Sequence, residues 1–464
     1  MSTGTVRAFL AIVSCKASRA VLRFLKRGGT AFPGKAAMFW SPEILADVSK
    51  GVTTIIVTGT NGKTTTCRIL EHALLAAGKE PLANRSGANL LSGITAEFVC
   101  GASVKGQAGY RYAVIECDEA ALRHVAPLVK PAVIVVTNLF RDQLDRYGEV
   151  MHTLEVIREA VREVPETVLC LNADDSLTAS LGPGVPGEVR YYGLDAPVDI
   201  ASKSDPGAPA ISDARHCIRC GSEYRYRYHT YAHLGGFYCP LCGYKRPAAD
   251  VAVTSVDRLA EDSSTVHLRV GKTVSKIGIG LPAVYNLYNA AAAVCAYTAA
   301  GFPASEILGT IGDHVGGFGR QEQFVLDGVP VRMILVKNPA GCNQTLEYLG
   351  AMEQDFDLIL CLNDRTADGH DISWIWDADY EKLAGISRLD RICVYGDRAE
   401  DLRVRLKYAG IEADRISLAS DEKEILGRIR EGTRPVVILP NYTSMLAVRA
   451  ALSKEAGAGE FWKG

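Results

Sequence analysis

Residues 51–78 constrain the fold of this chain more than any other stretch. A β-branched apolar run, GVTTIIVT, leads into GTNGKTTT. It is followed by CRILEHALLAAG, which is apolar at helical spacing and stops at Gly78. The pattern predicts a strand, a glycine loop and a helix. Further strands are expected at Ala113–Glu116, Ala132–Thr137 and Thr167–Leu171, with a helix at Val150–Val164. Alternation of this kind calls for a parallel α/β sheet. An Ala-rich helix is expected at Tyr285–Gly301. After Gly316-Gly317-Phe318-Gly319 the alternation starts afresh, with strands at Val331–Val336, Leu358–Leu362, Arg391–Tyr395 and Val436–Leu439. Helices are expected between and after them at Asn343–Gln354, Ala399–Ala409 and Thr443–Ser453. The expectation is an α/β protein with a central domain over 51–319 and a smaller Rossmann-like α/β domain over 320–464. Residues 1–50 form a lead-in, and an insertion spans about 203–250, where Pro, Gly, Tyr, Arg and Cys replace helical periodicity.

Thr58-Gly59-Thr60-Asn61-Gly62-Lys63-Thr64-Thr65-Thr66 is the strongest chemical signal. A glycine loop at a helix N-terminus presents successive backbone N–H groups, and with the helix dipole these cradle phosphates. Thr60, Asn61, Gly62 and Thr65 belong to that cradle. Lys63 is placed to reach the terminal phosphates of ATP, and Thr64 to offer its hydroxyl to Mg²⁺. The general phosphate-loop pattern needs a glycine five positions before Gly62. Val57 stands there, so only the shorter G-x-x-G-K-T-T is met. Glu116 ends an apolar strand, where a carboxylate can reach a cation at the sheet's carboxyl edge.

The second signal is Cys217-x-x-Cys220, eighteen residues, then Cys239-x-x-Cys242. Two such knuckles supply the four thiolates of a closed structural Zn²⁺ site. Gly221 and Gly243 suit their turns. His216, His229 and His233 lie nearby, but four cysteines suffice. The other nine of the 13 cysteines are scattered through apolar segments, which fits reduced core thiols. The net charge of −2 argues against a general polyanion-binding surface. Arg225, Tyr226, Arg227 and Tyr228 would suit nucleic acid, but a structural insert is expected. Near the start, residues 5–27 mix apolar and basic positions at helical spacing. They read as an amphipathic helix that packs on the next domain, or that also touches an anionic membrane surface. No apolar run is long enough to span a bilayer.

The loop resembles the nucleotide loop of Mur ligases and folylpolyglutamate synthases, which join a carboxylate to an amine using ATP. Other stretches fall into the same order. Glu116-Cys117-Asp118-Glu119 resembles an acidic motif whose first Glu holds Mg²⁺. Thr137-Asn138-Leu139 with Asp142-Gln143-Leu144-Asp145 resembles the family's T-N-x…D-H-L-D segment, and Asn172-Ala173-Asp174-Asp175 a further N-x-D-D. Tyr285-Asn286-Leu287-Tyr288-Asn289 resembles a segment that places Asn286 and Asn289 near adenine. Gly319-Arg320-Gln321-Glu322 resembles the G-R-x-E motif, whose Arg meets phosphate. Gln143 stands where many relatives have His, so a second protein-held Mg²⁺ is in doubt. No Lys lies between Gln143 and Thr167, so no carbamylated lysine is expected there. Asn338 and Asn343 fall where relatives bring C-terminal groups onto the nucleotide.

About 50 residues precede the loop, which leaves no room for a UDP-binding N-terminal domain. The C-terminal half carries NDRTADGHDISWIWD from Asn363 and LPNYTSML from Leu439. These resemble the MurT family, the ligase-like subunits of lipid II isoglutaminyl synthase. The resemblance implies ATP-dependent amidation of the α-carboxyl of the D-isoglutamyl residue of lipid II, through an acyl phosphate. Ammonia would come from a GatD-type glutaminase partner in a heterodimer. It implies a bacterial, cytoplasmic enzyme, peripheral at the inner face of the membrane. It also implies that a C-terminal Asp orients the partner's catalytic histidine, with Asp368 the choice and Asp371 the alternative. Two rivals remain: an amino-acid-adding or folylpolyglutamate-type ligase, and a non-catalytic nucleotide-binding zinc-ribbon regulator.

Overall fold

The computed structural model describes residues 3–25, 31–85, 87–141, 150–195, 213–313 and 320–456. Two sheets dominate it. The first has nine strands in the order β11-β10-β9-β6-β5-β4-β1-β3-β2. Its core is the parallel set β1 (Thr53–Thr58), β3 (Tyr112–Glu116), β4 (Val133–Val136) and β5 (Val168–Asn172). The edges are β2 (Pro81–Ala83) on one side and β6 (Val189–Leu194) towards the other. Beyond β6 lie β9 (Val251–Leu259), β10 (Ser264–Val270) and β11 (Thr273–Ile279), and here β10 runs antiparallel to both neighbours. The expected parallel sheet is present from β2 to β9, with the antiparallel strands β10 and β11 added at one edge. The hairpin strands alternate polar and apolar residues at an exposed edge, unlike the near-continuous apolar runs of the buried parallel strands.

The strands of the parallel set are buried on both faces. Ile55 and Val57 join one core, with Val133, Val135 and the helix Val284–Ala299. Ile56 joins the other, with Ile115, Ile134 and Val136. Ala290 to Ala293 are all buried, so the Ala-rich helix lies close against the sheet. The helix Thr3–Phe24 docks on the second core through Ala11, Ile12 and Cys15.

The second sheet has six strands in the order β12-β13-β17-β14-β15-β16, between two further cores. Its strands are β12 (Arg320–Leu326), β13 (Val329–Ile334), β14 (Phe356–Cys361), β15 (Leu389–Tyr395), β16 (Ile416–Leu418) and β17 (Val436–Pro440). All but β12 run parallel to their neighbours. The expected strands here fall within one or two residues of those observed. The helix expected at Asn343–Gln354 starts earlier, at Pro339, because Asn338 caps it: its Oδ1 accepts the Gly341 N–H at 2.8 Å. Part of the expected insertion lies outside the described residues, as do Asp142 to Asp145 and Gly316 to Gly319. The described part holds the β7 (Arg225–Tyr231) and β8 (Leu234–Tyr238) hairpin between the two knuckles.

Candidate active site

From β1 the chain turns to one side to build β3 and β2, then crosses back to build β4. The reversal opens a crevice at the carboxyl ends of β3, β1 and β4. The phosphate loop follows β1, Glu116 ends β3 opposite Val57, and Thr137-Asn138 follow β4. Three separate sequence signals therefore meet at one edge.

The loop is shaped by glycines at positive φ, +114° at Gly59 and +88° at Gly62. A Cβ on Gly59 would lie 2.4 Å from Thr137 Oγ1, and one on Gly62 2.1 Å from Asn289 Oδ1. Both positions thus need glycine for space as well as for backbone conformation. Asn138 holds the loop from β4: its Oδ1 accepts the Asn61 N–H at 2.9 Å and its Nδ2 donates to Asn61 O at 3.1 Å. Thr60 Oγ1 accepts the Phe140 N–H at 3.0 Å. Asn138 and Thr60 therefore hold the cradle, with side chains already engaged.

Lys63 begins the helix Lys63–Ala76, and its side chain is only 10% exposed. Its Nζ lies 2.9 Å from Glu119 Oε1. Burial works against the ammonium charge, but Glu119, Glu116 and Asp118 together hold its pKa above the ordinary lysine range. Burial pushes the Glu119 carboxyl up, while Lys63 and Lys337 pull it down. The two shifts oppose each other for the pair. The short contact and the second cation favour an ionised Glu119 at neutral pH. Thr64 Oγ1 donates to Glu116 Oε2 at 2.8 Å. Glu116 is steadied by its own backbone, whose N–H donates to Asn84 Oδ1 at 2.9 Å and whose carbonyl accepts from Asn84 Nδ2 at 2.8 Å. A hydroxyl and a carboxylate in contact beside a phosphate cradle are the hard oxygen donors that Mg²⁺ takes.

A cleft of about 870 Å³ opens beside the loop, lined from both sheets. Asn61, Gly62, Thr65, Asn138, Asn286 and Asn289 all line it. The two helix asparagines are largely self-engaged. Asn286 Nδ2 donates to Pro282 O, and Asn289 Nδ2 donates to Asn286 Oδ1 at 3.0 Å. Gln321 is different. It bulges from β12 at φ +60° and is 6% exposed. Its Nε2 donates to Tyr285 OH at 2.9 Å, while its Oε1 is buried with no partner among the described residues. An orphaned acceptor on a strained residue at a cleft wall fits a ligand that brings a donor, as an adenine amine does. Arg320 enters β12 beside it, and its side chain lies outside the described residues. Asn338 reaches back to the loop, with Nδ2 to Asn61 Oδ1 at 3.1 Å. Asn343 does not line the cleft, and its Oδ1 accepts the Asp379 N–H instead. Glu119, Gln321, Tyr285 and Lys337 were not singled out from sequence.

The four insert cysteines converge, with all four sulfurs within 4.8 Å of one another. Cys217 Sγ lies 3.5 Å from Cys242 Sγ, and Cys220 Sγ 3.4 Å from Cys239 Sγ. These separations are too long for disulfides and close to the ~3.8 Å of a tetrahedral Zn–thiolate set. The knuckles repeat each other: Gly221 N–H donates to Cys217 O at 2.8 Å and Gly243 N–H to Cys239 O at 3.1 Å. The N-x-D-D stretch does not face the nucleotide cleft. Asp174 and Asp175 are fully buried and hold the insert in place. Asp174 meets Arg246 and accepts from Tyr288 OH, and Asp175 meets His233 Nε2 at 3.2 Å. His233 is thereby committed away from the thiols. Tyr226 and Tyr228 donate to His233 O and Leu194 O, so the hairpin tyrosines pack inward.

Asp368 lies after β14, where Oδ1 accepts the Thr443 N–H at 2.8 Å and Oδ2 accepts from Thr443 Oγ1. Burial raises its pKa, against these bonds. The next residue, Gly369, has φ +80°. Asp371 is half-buried and its Oδ1 accepts the Ser373 N–H at 2.8 Å, a turn cap. Burial raises the Tyr442 hydroxyl, and the charges of Glu116 and then Asp368 add to the effect.

A cradle at the crevice of one α/β domain, roofed by a second, is the arrangement of a Mur ligase. Residues 57–205 match the Mur ligase middle domain and residues 335–445 the MurT ligase C-terminal domain. The chain is 34% identical over 96% of its length to the Streptococcus pneumoniae R6 lipid II isoglutaminyl synthase (glutamine-hydrolyzing) subunit MurT, covering 96% of that protein. It is 32% identical over 98% of its length to the same subunit of Staphylococcus aureus COL, covering all of it. A crystal structure of MurF from Acinetobacter baumannii shares the fold, with TM-score 0.65 at 17% identity over 90% of this chain and 80% of that one. The chain belongs to the MurT family of Mur-type ligases.

Proposed function

We propose that this chain is the ligase subunit of a lipid II isoglutaminyl synthase, amidating the α-carboxyl of the D-isoglutamyl residue of the lipid II stem to D-isoglutamine. Its full-length likeness to MurT subunits supports the substrate, and a GatD-type glutaminase supplies ammonia. The observation that carries the chemistry is the crevice itself. A lysine, a Thr–Glu oxygen pair and a glycine cradle meet there, under a second domain that lines the same cleft.

The loop N–H groups and the helix N-terminus bind the ATP phosphates. Lys63 moves from Glu119 to the terminal phosphate, and with Arg320 neutralises charge as the phosphoryl group passes to the substrate carboxylate. Thr64 and Glu116 would hold Mg²⁺, which would offset the charge of the phosphates. Asn286, Asn289 and Gln321 frame the base. Neutral ammonia then attacks the acyl carbon, a C–N bond forms and phosphate leaves. Ammonia is mostly ammonium at neutral pH, so delivery from glutamine hydrolysis supplies the nucleophilic form. Asp368 acts as a positioning residue for the partner's histidine. Cys217, Cys220, Cys239 and Cys242 would hold a structural Zn²⁺ that would fasten the insert.

The test is amidation of lipid II by the purified complex with ATP, Mg²⁺ and glutamine, read as conversion of carboxylate to carboxamide by mass spectrometry. Lys63→Ala is expected to abolish it while leaving the complex assembled. Normal amidation by a folded Lys63→Ala protein would exclude this loop as the catalytic nucleotide site.

A further inference from the structure

The helix Thr3–Phe24 is docked by one face and open on the other. Inward, Ala11, Ile12 and Cys15 are fully buried, Arg19 forms a two-pronged pair with Glu97 at 2.7 and 2.9 Å, and Lys16 donates to Ala102 O. These contacts fix which side faces solvent. That outer side is apolar. Val6, Phe9, Val13 and Phe24 fall on one helical stripe and are 43, 50, 40 and 88% exposed, with Val21 beside them. On the next helix, Ala31–Trp40, Phe32 and Phe39 are 59 and 80% exposed and flank Lys35 on one face. An amphipathic surface helix turns its charged side to water; this one turns an aromatic and aliphatic stripe outward.

The charge of the segment is as uneven as its hydropathy. Residues 1–42 contain seven Lys and Arg and no Asp or Glu, in a chain of net charge −2, so everything after Pro42 carries −9. Arg7, Arg23 and Lys35 are exposed and form no ion pair among the described residues. Outward phenylalanines rimmed by unpaired cations complement one surface above others: acyl chains under anionic headgroups. No described helix is long and apolar enough to cross a membrane, so the fit is to lying on one.

We propose that the outer faces of the helices Thr3–Phe24 and Ala31–Trp40 form a docking surface for an anionic phospholipid bilayer, with Phe9, Phe24 and Phe39 entering the headgroup boundary and Arg7, Arg23 and Lys35 meeting lipid phosphates. Its purpose rests on the lipid-linked acceptor proposed above; the binding itself does not. Docking would hold the enzyme at the surface where such an acceptor is anchored.

The experiment is flotation of the full-length chain, with and without its amidotransferase partner, on vesicles of phosphatidylcholine alone or with phosphatidylglycerol. Binding is expected only with phosphatidylglycerol, with release at high salt. Each headgroup-facing cation is worth about fivefold in partitioning, so Arg7→Gln/Arg23→Gln/Lys35→Gln should weaken it on the order of a hundredfold. Phe9→Glu/Phe24→Glu should abolish it, with an unchanged melting temperature because these side chains are exposed. Failure of the unmodified protein to float, equal binding to neutral vesicles, or retained binding by the variants would each overturn the proposal. So would a dimer in lipid-free solution that Phe24→Glu dissociates, since a second copy would then cover the face. Amidation in detergent separates the two readings. Lipid II amidated in detergent without any flotation sinks the docking surface alone; flotation without amidation in detergent supports docking and sinks the substrate assignment.

Discussion

Glu119 offers the sharpest test of how the resting site is held. Lys63 and Glu119 are 10 and 8% exposed and 2.9 Å apart. Removing one member of a buried pair costs about 3–5 kcal/mol, because the other charge is left uncompensated. Glu119→Gln keeps the shape, and its amide oxygen can still accept from Lys63, recovering roughly 1.5–3 kcal/mol. The net loss without nucleotide is about 2 kcal/mol, or roughly 4–8 °C in the melting temperature of a domain this size. With a bound triphosphate the balance changes. The phosphates supply negative charge to Lys63, and the wild-type Glu119 carboxylate becomes a neighbour that repels them. The variant's deficit should then shrink to near zero. By linkage, the difference between the two deficits appears as tighter nucleotide binding, about tenfold to thirtyfold. The assay is thermal melting with and without saturating Mg²⁺ and a non-hydrolysable ATP analogue, backed by calorimetric titration. An equal melting deficit in both conditions, with unchanged affinity, would refute the exchange of Lys63 between Glu119 and phosphate.

Gln321→Gly relieves a left-handed backbone at φ +60°, worth about 1–2 kcal/mol; the melting temperature should hold or rise while nucleotide affinity falls about tenfold by calorimetry. Cys239→Ser should remove one equivalent of zinc per chain by elemental analysis. Hydrogen exchange should then quicken across 213–250, with nucleotide affinity changed less than twofold. Asp368 has a carboxyl raised by burial above the ordinary 3.8, so the stability it contributes is present below that value and lost as pH rises through the folded one. Asp368→Asn should therefore leave the melting temperature at pH 7–8 level or higher, and flatten its dependence on pH. Glutamine-driven amidation should fall more than tenfold, while amidation from added ammonium at raised pH should persist.

The strands β1, β3, β4, β5, β13, β14, β15 and β17 were legible because each is a short, near-continuous apolar run bounded by turn residues, as in Val133–Val136 and Val436–Pro440; the strands β2, β6, β12 and β16 were not. The β9–β11 hairpins were not, since one face meets solvent and their apolar residues alternate with Thr, Ser, Lys and Arg. The cradle and the cysteine knuckles were legible because spacing along the chain alone specifies them. Glu119 and Gln321 were not, because their roles exist only across distance. Glu119 sits 56 residues from the lysine it pairs with. Gln321 matters because a β-bulge turns its amide towards the cleft wall, and no local pattern announces a bulge. Asp174 and Asp175 show the converse: a motif visible in sequence whose buried carboxylates anchor the cysteine-bearing insert.

The contact between the two sheets explains why the site is divided between them. Asn61 meets Asn338, Gln321 meets Tyr285, and Arg141 meets Asp377 at 3.2 Å, with both of the last pair about two-fifths exposed. Glu261 accepts from the Glu353 N–H and from Gln354 Nε2. These are mostly polar contacts that water can replace at little cost, unlike the apolar cores within each sheet. The cleft is lined from both sides, by Gly62 and Asn289 from one and by Lys337 and Gly341 from the other. A nucleotide there touches both domains and adds the attraction that the bare interface lacks. A site enclosed by two domains also keeps water from the reacting groups, which suits the proposed acyl-phosphate chemistry, because an acyl phosphate exposed to water is open to hydrolysis.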